Sequence, residues 1–537
     1  MLGHQCRKKK EDEPPTKQRR LDSYVSATAD KVTNAKKTIA EAAALFVAKD
    51  LRPFTVVEGE GFLTLAETLI AVGNKLGPVR ASEVMPKRQC VTDAVKARRL
   101  RVEAAVKAQL QCVNGFGVTH DQWEHESVKT TYMAVTVQYV TVGEVVARVL
   151  QTRATEGKTA AVIASDTAAI LREFGIADKT IVFVSDNARA MKAAFRCCTW
   201  LGCASHNLNL VQKHAFEGLA DDPTSSVLQP VRLLLQHCKE LVTLARRSNF
   251  NRDLPKSLLQ CIEVRWDSRF DMLVSVDTNY TALHAVTATN VKVAAHLQHI
   301  PRDMLKALMT LLQPLKNNRL KLCQESAATL HLVLLVKNRL LTSFANAEED
   351  EPWMVELKRP LHHRLQVDFQ VIQLHKFATI LVPSLRNLNN LMSATERETL
   401  VQQLVDAVGD TSGSPVTATP PPNQLQSAAA DDLVAAFSDP SPDDVGDGCS
   451  EILRYLVAPF NAATLRLSPE MFWESQQHRF PKLSAFANGL LAIPATNLSS
   501  ERNFNYAGLT LTDRRSRLSP HMVDDLLFVR SNFDVCK

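Results

Sequence analysis

The chain has 537 residues, of which 45% are hydrophobic and 22% charged, with a formal net charge of +6. Those proportions exclude a wholly disordered or fibrous chain and predict several globular cores, roughly three or four domains by length. The mild positive charge permits nucleic-acid binding without demonstrating it. The 11 Cys are too sparse for a disulfide scaffold, so free thiols in a reducing compartment are expected. No apolar run reaches the roughly 18–20 residues of a membrane span. The opening MLGHQCRKKKEDEPP lacks the apolar stretch of a secretory signal.

Residues 1–38 are polar and charge-dense and are predicted to be disordered. Arg7 to Lys10, then Lys17, Arg19 and Arg20, form two basic clusters that read as a nuclear-localisation signal or as a plainly solvated tail. His4 and Cys6 alone cannot close a tetrahedral zinc site, and no structural zinc is expected. Residues 39–110 read as helical and as the DNA-binding region. DAVKARRLRVEAAVKAQLQC within them is a basic amphipathic helix whose Arg98, Arg99, Arg101 and Lys107 are expected either to contact phosphates or to line a solvated face. Duplex binding through this region should weaken with salt.

From 111 to 215 the pattern turns to strands alternating with helices. VNGFGVTHDQW and YMAVTVQYVTV read as strands, TAAVIASDTAAILREFGI as a helix, and KTIVFVSDNARAMKAAFR as a strand buried on both faces followed by a helix. This predicts an α/β core. Residues 216–407 are leucine-rich and helical, with VRLLLQHCKELVTLARR and DMLKALMTLLQPLKNNRLKLCQ the clearest segments. Residues 408–447 are rich in Pro, Ser, Thr, Gly and Asp and read as a disordered linker. Residues 448–537 return to mixed periodicity.

Three acids stand where chemistry is expected. Asp121 follows FGVTH, Asp186 follows IVFVS, and Glu501 lies in NLSSERNF, where Ser499 is expected to N-cap a helix. Carboxylates at the C-terminal ends of strands face the crevice where α/β folds bind ligands. Three together can hold two Mg²⁺ or Mn²⁺ ions for phosphodiester transfer. Singly, each also reads as a turn, cap or helix-dipole residue, and spacing does not establish that they meet.

Four blocks resemble the hAT (hobo/Activator-type) superfamily of DNA transposases. They are FGVTHDQWEHESVKTTYMAVTVQYV, VSDNARAMKAAF with WLGCASHNLNLVQKHAF, VRWDSRFDML, and the long C-terminal stretch from FPKLSAFANGLLAIPATNLSSERNF to DDLLFVRSN. The last is similar to the family's dimerisation block, and RPFTVVEGEGFLTL is similar to its DNA-binding segment. The resemblance implies a ribonuclease-H-like core interrupted by a large helical insertion. It places the catalytic, metal-holding triad at Asp121, Asp186 and Glu501, with two Mg²⁺ or Mn²⁺ ions as cofactor. Cys203 and His206 look like a supporting C-x-x-H motif near the active site. Arg265 and Trp266 look like the family's Arg-Trp pair, the Trp either stacking on an exposed base or filling a core. A BED-type zinc finger, common in relatives, is not expected. Two departures stand out: Glu474 follows Trp473, and Asn503, Phe504 and Asn505 follow the SER motif.

The implied function is a nuclear cut-and-paste transposase acting on transposon ends and target duplex as a homodimer or larger oligomer. The alternative is a domesticated or decayed DNA-binding, dimerising relative without catalysis; an RNA-directed nuclease on the same core ranks lower. Two apolar stripes in the last block, Leu483, Phe486, Leu490, Leu491, Ile493 and Val523, Leu526, Leu527, Val529, are predicted to pack either on a partner chain or inside the monomer.

Overall fold

A computed structural model describes residues 16–125, 129–221, 226–248, 250–252, 254–262, 267–409, 433–434, 450–511 and 518–536. The chain divides into two compact units, residues 1–91 and 92–537.

In the first unit a 35-residue helix, Thr16–Asp50, starts where composition predicts disorder and takes in Lys17, Arg19 and Arg20. The Arg7–Lys10 cluster lies outside the described residues. Pro53 begins a 3₁₀ turn at Phe54–Glu58, and the helix Glu60–Leu76 ends where Gly77 takes a positive φ of 74°. Neither element buries a residue, and Phe54, Ile70 and Leu45 are more than half exposed.

The second unit is built on a five-stranded mixed sheet, in the order β3-β2-β1-β4-β5. Its strands are β1 Gly115–His125, β2 Thr130–Thr141, β3 Glu144–Ala154, β4 Thr180–Ser185 and β5 Thr199–Gly202. β1, β2 and β3 form an antiparallel meander, while β4 runs parallel to β1 and β5 parallel to β4. The β2–β3 turn places Gly143 and, less comfortably, Val142 at positive φ.

Strand alternation sorts the side chains. Phe116 and Val118 of β1, Val135 and Val137 of β2, and Phe183 of β4 face one side, against Val102, Val106 and Leu110 of the helix Arg88–Gln111 and Ile163 and Ile170 of the helix Ala160–Glu173. On the other face Val182 and Val184 pack with Leu483, Leu490, Leu491 and Ile493 around the helix Pro481–Leu491. Tyr132 and Ala134 pack there with Phe504 and Ala507 of the helix Leu498–Thr510, and with Val523 and Leu527 of the helix Pro520–Ser531. Most of both C-terminal stripes is therefore buried within the monomer.

β3 is an outer strand, and the Pro520–Ser531 helix covers it. Asn532 donates to Val149 O at 2.9 Å and accepts from Val149 N at 3.2 Å, while Asp524 accepts from Thr152 N at 2.6 Å. These side chains stand in for the missing neighbour strand.

Among the described residues, helices predominate from 204 to 408. They include Ala204–Asp221, Gln229–Arg247, Val291–Leu297, Arg302–Leu322 and Pro352–Asp368. Fully buried leucines such as Leu234, Leu308, Leu335 and Leu361 share one core. Of the 408–447 stretch, only 408, 409, 433 and 434 are described. No described helix is long and apolar enough to cross a membrane.

Candidate functional site

β1 and β4 pair in parallel from Gly115 with Thr180 to Thr119 with Val184. Continuing that register by two residues sets Asp121 beside Asp186, each just beyond the paired stretch. Both share the face of Gly117, Thr119, Val182 and Val184. His120 points the other way, fully buried with its ring 5.9 Å from Phe195, and burial holds its imidazole down at about 4. It is a neutral core residue, outside the carboxylate cluster.

Glu501 comes from the first turn of the Leu498–Thr510 helix, 315 positions beyond Asp186. The N-cap is Asn497, not the predicted Ser499. Ser499 is instead drawn into a hydroxyl network: Thr119 Oγ1 lies 2.5 Å from Thr136 Oγ1 and 2.7 Å from Ser500 Oγ, and Ser499 Oγ lies 2.8 Å from Thr136 Oγ1. Four hydroxyls thus pin the start of this helix to β1 and β2. Trp123 of β1 stacks on Phe504 at 5.9 Å, and Asn503 accepts from Ser531 Oγ at 3.0 Å, locking the same helix to the next. Thr119→Val keeps the volume but removes the central hydroxyl. It should cost about 1–3 kcal/mol, read as a lowered denaturant midpoint.

The three acids lie close enough to influence one another electrostatically. Burial, then Glu501 and Asp186, push the Asp121 carboxyl well above the usual range, although Gln122 N donates to it at 2.9 Å. Burial pushes the Glu501 carboxyl up to about 8; Arg319 pulls it back and Asp186 adds to the rise. Asp186 Oδ1 accepts from Ala188 N at 3.1 Å. This is a donor set under mutual repulsion, which a bound divalent cation relieves. Asp121, Asp186 and Glu501 fit Mg²⁺ or Mn²⁺ in donor chemistry. Their ligand atoms do not all fall within 4.8 Å of one another, which among the described residues only His237, Glu240 and His296 do.

Cys203 and His206 open the Ala204–Asp221 helix beside this cluster. His206 Nε2 lies 3.7 Å from Glu501 Oε1, and burial holds its imidazole below the ordinary value, against Asp186 and Asn497. Both partners are therefore uncharged at neutral pH, and the contact is no ion pair. Cys203 is buried and burial pushes its thiol up, so it serves packing and not metal ligation. The neighbouring Asn187 side chain donates to Asn207, and Gly202 leaves it room: a Cβ there would lie 2.5 Å from Asn187 Oδ1. Arg265 and Trp266 lie outside the described residues.

Arg319 was not legible as a site residue. It reaches the cluster from the Arg302–Leu322 helix, with Nε donating to Asp267 Oδ2 at 2.8 Å. Arg502, beside Glu501, forms an ion pair with Glu325. A pocket of about 310 Å³ opens along the Leu498–Thr510 helix, lined by Arg148, Arg502 and Arg530 among others.

The predicted phosphate contacts need correction. Arg99 is buried, its guanidinium 2.7 Å from Glu103, 3.7 Å from Asp524 and 3.4 Å from the Phe528 ring centroid. Lys107 is tied to Glu103 at 2.6 Å. Arg99 thus ties the Arg88–Gln111 helix to the Pro520–Ser531 helix, whereas the Lys107–Glu103 pair lies within the first helix. Arg98 reaches Cys536 O at 3.5 Å, and Arg101 is exposed.

Comparison with known proteins finds the hAT family C-terminal dimerisation region at residues 451–533 and the Hermes transposase DNA-binding domain at residues 31–90. Zinc finger protein 618 of Homo sapiens is 26% identical over 512 residues, covering 93% of this chain and 51% of its own length. The Transposable element Hobo transposase of Drosophila melanogaster is 22% identical over 350 residues, 60% of this chain and 52% of that one. The Putative transcriptional regulator tpeD of Talaromyces stipitatus is 24% identical over 297 residues, 52% of this chain and 33% of that one. The chain spans about half the length of the first curated relatives it matches. With a hAT dimerisation region at one end, a hAT-type DNA-binding domain near the other and a Hobo transposase among its relatives, the chain is similar to the hAT superfamily of transposases and transposase-derived proteins.

Proposed function

We propose that the chain is a nuclear DNA transposase of the cut-and-paste type, acting as a dimer or higher oligomer. The observation that supports this reading is the proximity of Asp121, Asp186 and Glu501: burial first, and then neighbouring carboxylates, raise the Asp121 and Glu501 carboxyls. In this reading residues 111–215 and 448–537 form a ribonuclease-H-like core, 216–407 its helical insertion, and residues 39–91 the duplex-binding part.

The three carboxylates would hold two Mg²⁺ or Mn²⁺ ions. When bound, such ions activate the attacking oxygen and neutralise charge on the leaving one. The hydroxyl network of Thr119, Thr136, Ser499 and Ser500 fixes the backbone from which Glu501 projects. Arg148 and Arg502, which line the pocket along the Glu501 helix, are already paired with Asp534 and Glu325, so binding of a backbone phosphate there would have to compete with those carboxylates. His206, neutral beside Glu501, positions that carboxyl.

A second reading, a transposase-derived DNA-binding protein without cleavage, is favoured by the names of two relatives, a zinc finger protein and a putative transcriptional regulator. Cleavage of a labelled duplex carrying the repeats that flank the encoding locus, with Mn²⁺, separates the two. Cleavage by the wild type that disappears in Glu501→Gln supports the transposase. Equal cleavage by both proteins overturns the site, and duplex binding without cleavage selects the second reading.

A further inference from the structure

On the helical part of the second unit, within one of the leucine-rich segments and a neighbouring helix, three ligating atoms converge. His237 and Glu240 sit three residues apart on the Gln229–Arg247 helix, and His296 lies on the Val291–Leu297 helix. His237 Nδ1 is 3.1 Å from His296 Nδ1, and Glu240 Oε2 is 3.4 Å from the first and 3.3 Å from the second. A tetrahedral ion with metal–nitrogen bonds of about 2.0–2.1 Å has ligand-to-ligand edges of about 3.3–3.4 Å. The observed triangle matches one face of that tetrahedron within a few tenths of an ångström.

The His299 ring stacks on His237 at 4.4 Å, fixing its plane. Side-chain exposures of 17%, 23% and 42% for His237, His296 and Glu240 leave a path for an ion and room for a water. Cys238 faces the core, where burial pushes its thiol up to about 12, so it supplies no thiolate.

We propose that His237, Glu240 and His296 form a site for a borderline divalent transition ion such as Zn²⁺, with water in the fourth position, that staples the two helices together. The site is separate from the carboxylate cluster in chemistry, since imidazole selects Zn²⁺ over Mg²⁺.

The test uses the full chain, tag-free and stripped with a chelator, in the Glu501→Gln background so that the carboxylate cluster is weakened. Co²⁺ titration should give one equivalent of visible d–d absorption without a near-ultraviolet thiolate band, displaced by Zn²⁺. His237→Gln, His296→Gln and Glu240→Gln should each lose that absorption, while His299→Gln keeps it. Glu240 is partly exposed, so its variant should retain the native circular dichroism. No stoichiometric Co²⁺ uptake by folded protein, a thiolate band, or a spectrum unchanged in all three ligand variants would overturn the proposal.

Discussion

Glu501→Gln is expected to make the metal-free protein more stable at pH 8 and, under the proposed transposase reading, to abolish cleavage. The carboxyl titrates near 4.3 in an unfolded chain and at about 8 in the fold. Between those values the folded state binds the proton and the unfolded state does not, so stability falls as pH rises and levels off above about 8. At 1.36 kcal/mol per unit, burying the ionised carboxylate costs up to ~5 kcal/mol at the alkaline end. Glutamine carries no such cost. In chelator, melting curves of the two proteins should nearly coincide at pH 4.5 and separate steadily up to pH 8, the variant higher. Parallel curves across that range would show that the Glu501 carboxyl is not raised by its burial. The pairing of gained stability with lost cleavage is what a strained functional site predicts and a structural acid does not.

Gly117→Ala is expected to destabilise the second unit by about 3 kcal/mol or more. β1 passes directly beneath the turn after the Pro481–Leu491 helix. A Cβ on Gly117 would lie 2.5 Å from Pro494 Cδ, 2.6 Å from Ala492 O and 2.8 Å from Ile493 Cα. Two of those atoms are backbone and cannot swing aside. That turn leads into Asn497 and the Glu501 helix, so moving it also displaces a carboxylate from the cluster. Gly157→Ala, where nothing lies within 4 Å, is the control. Equilibrium unfolding should show a large loss for the first and almost none for the second; equal midpoints would refute the close packing.

β4, which leads to Asp186, and β2, the neighbour of the strand that carries Asp121, are legible because their burial imposes continuous apolar or period-two patterns, as in IVFV and YMAVTVQYV. β5 is four residues long, too short for any pattern to emerge. β3 carries Arg148 and Arg153 within it, and its outer edge is completed by Asn532 and Asp524, which no local window contains. The basic helix shows the same blindness in reverse. Arg99 reads as a phosphate contact until Asp524 and Asp525, more than 400 positions on, are seen beside it. Arg319 and the His237–His296 pair escaped notice for this reason too: each works through a partner distant in sequence. The triad was nameable only through resemblance, since Asp121, Asp186 and Glu501 have no common spacing.

The close fit of Gly117 under Pro494 has a further consequence during synthesis. The roof over β1 is encoded about 380 positions after it, and chain elongation runs at about 5–20 residues per second. For the Val182–Val184 face, about 300 positions before the helix that covers it, the bare interval is about 15–60 seconds at the same rate. Over that interval the sheet depends on chaperones, and yield in a heterologous host should respond more to translation speed and holdase supply than to the final stability of the fold.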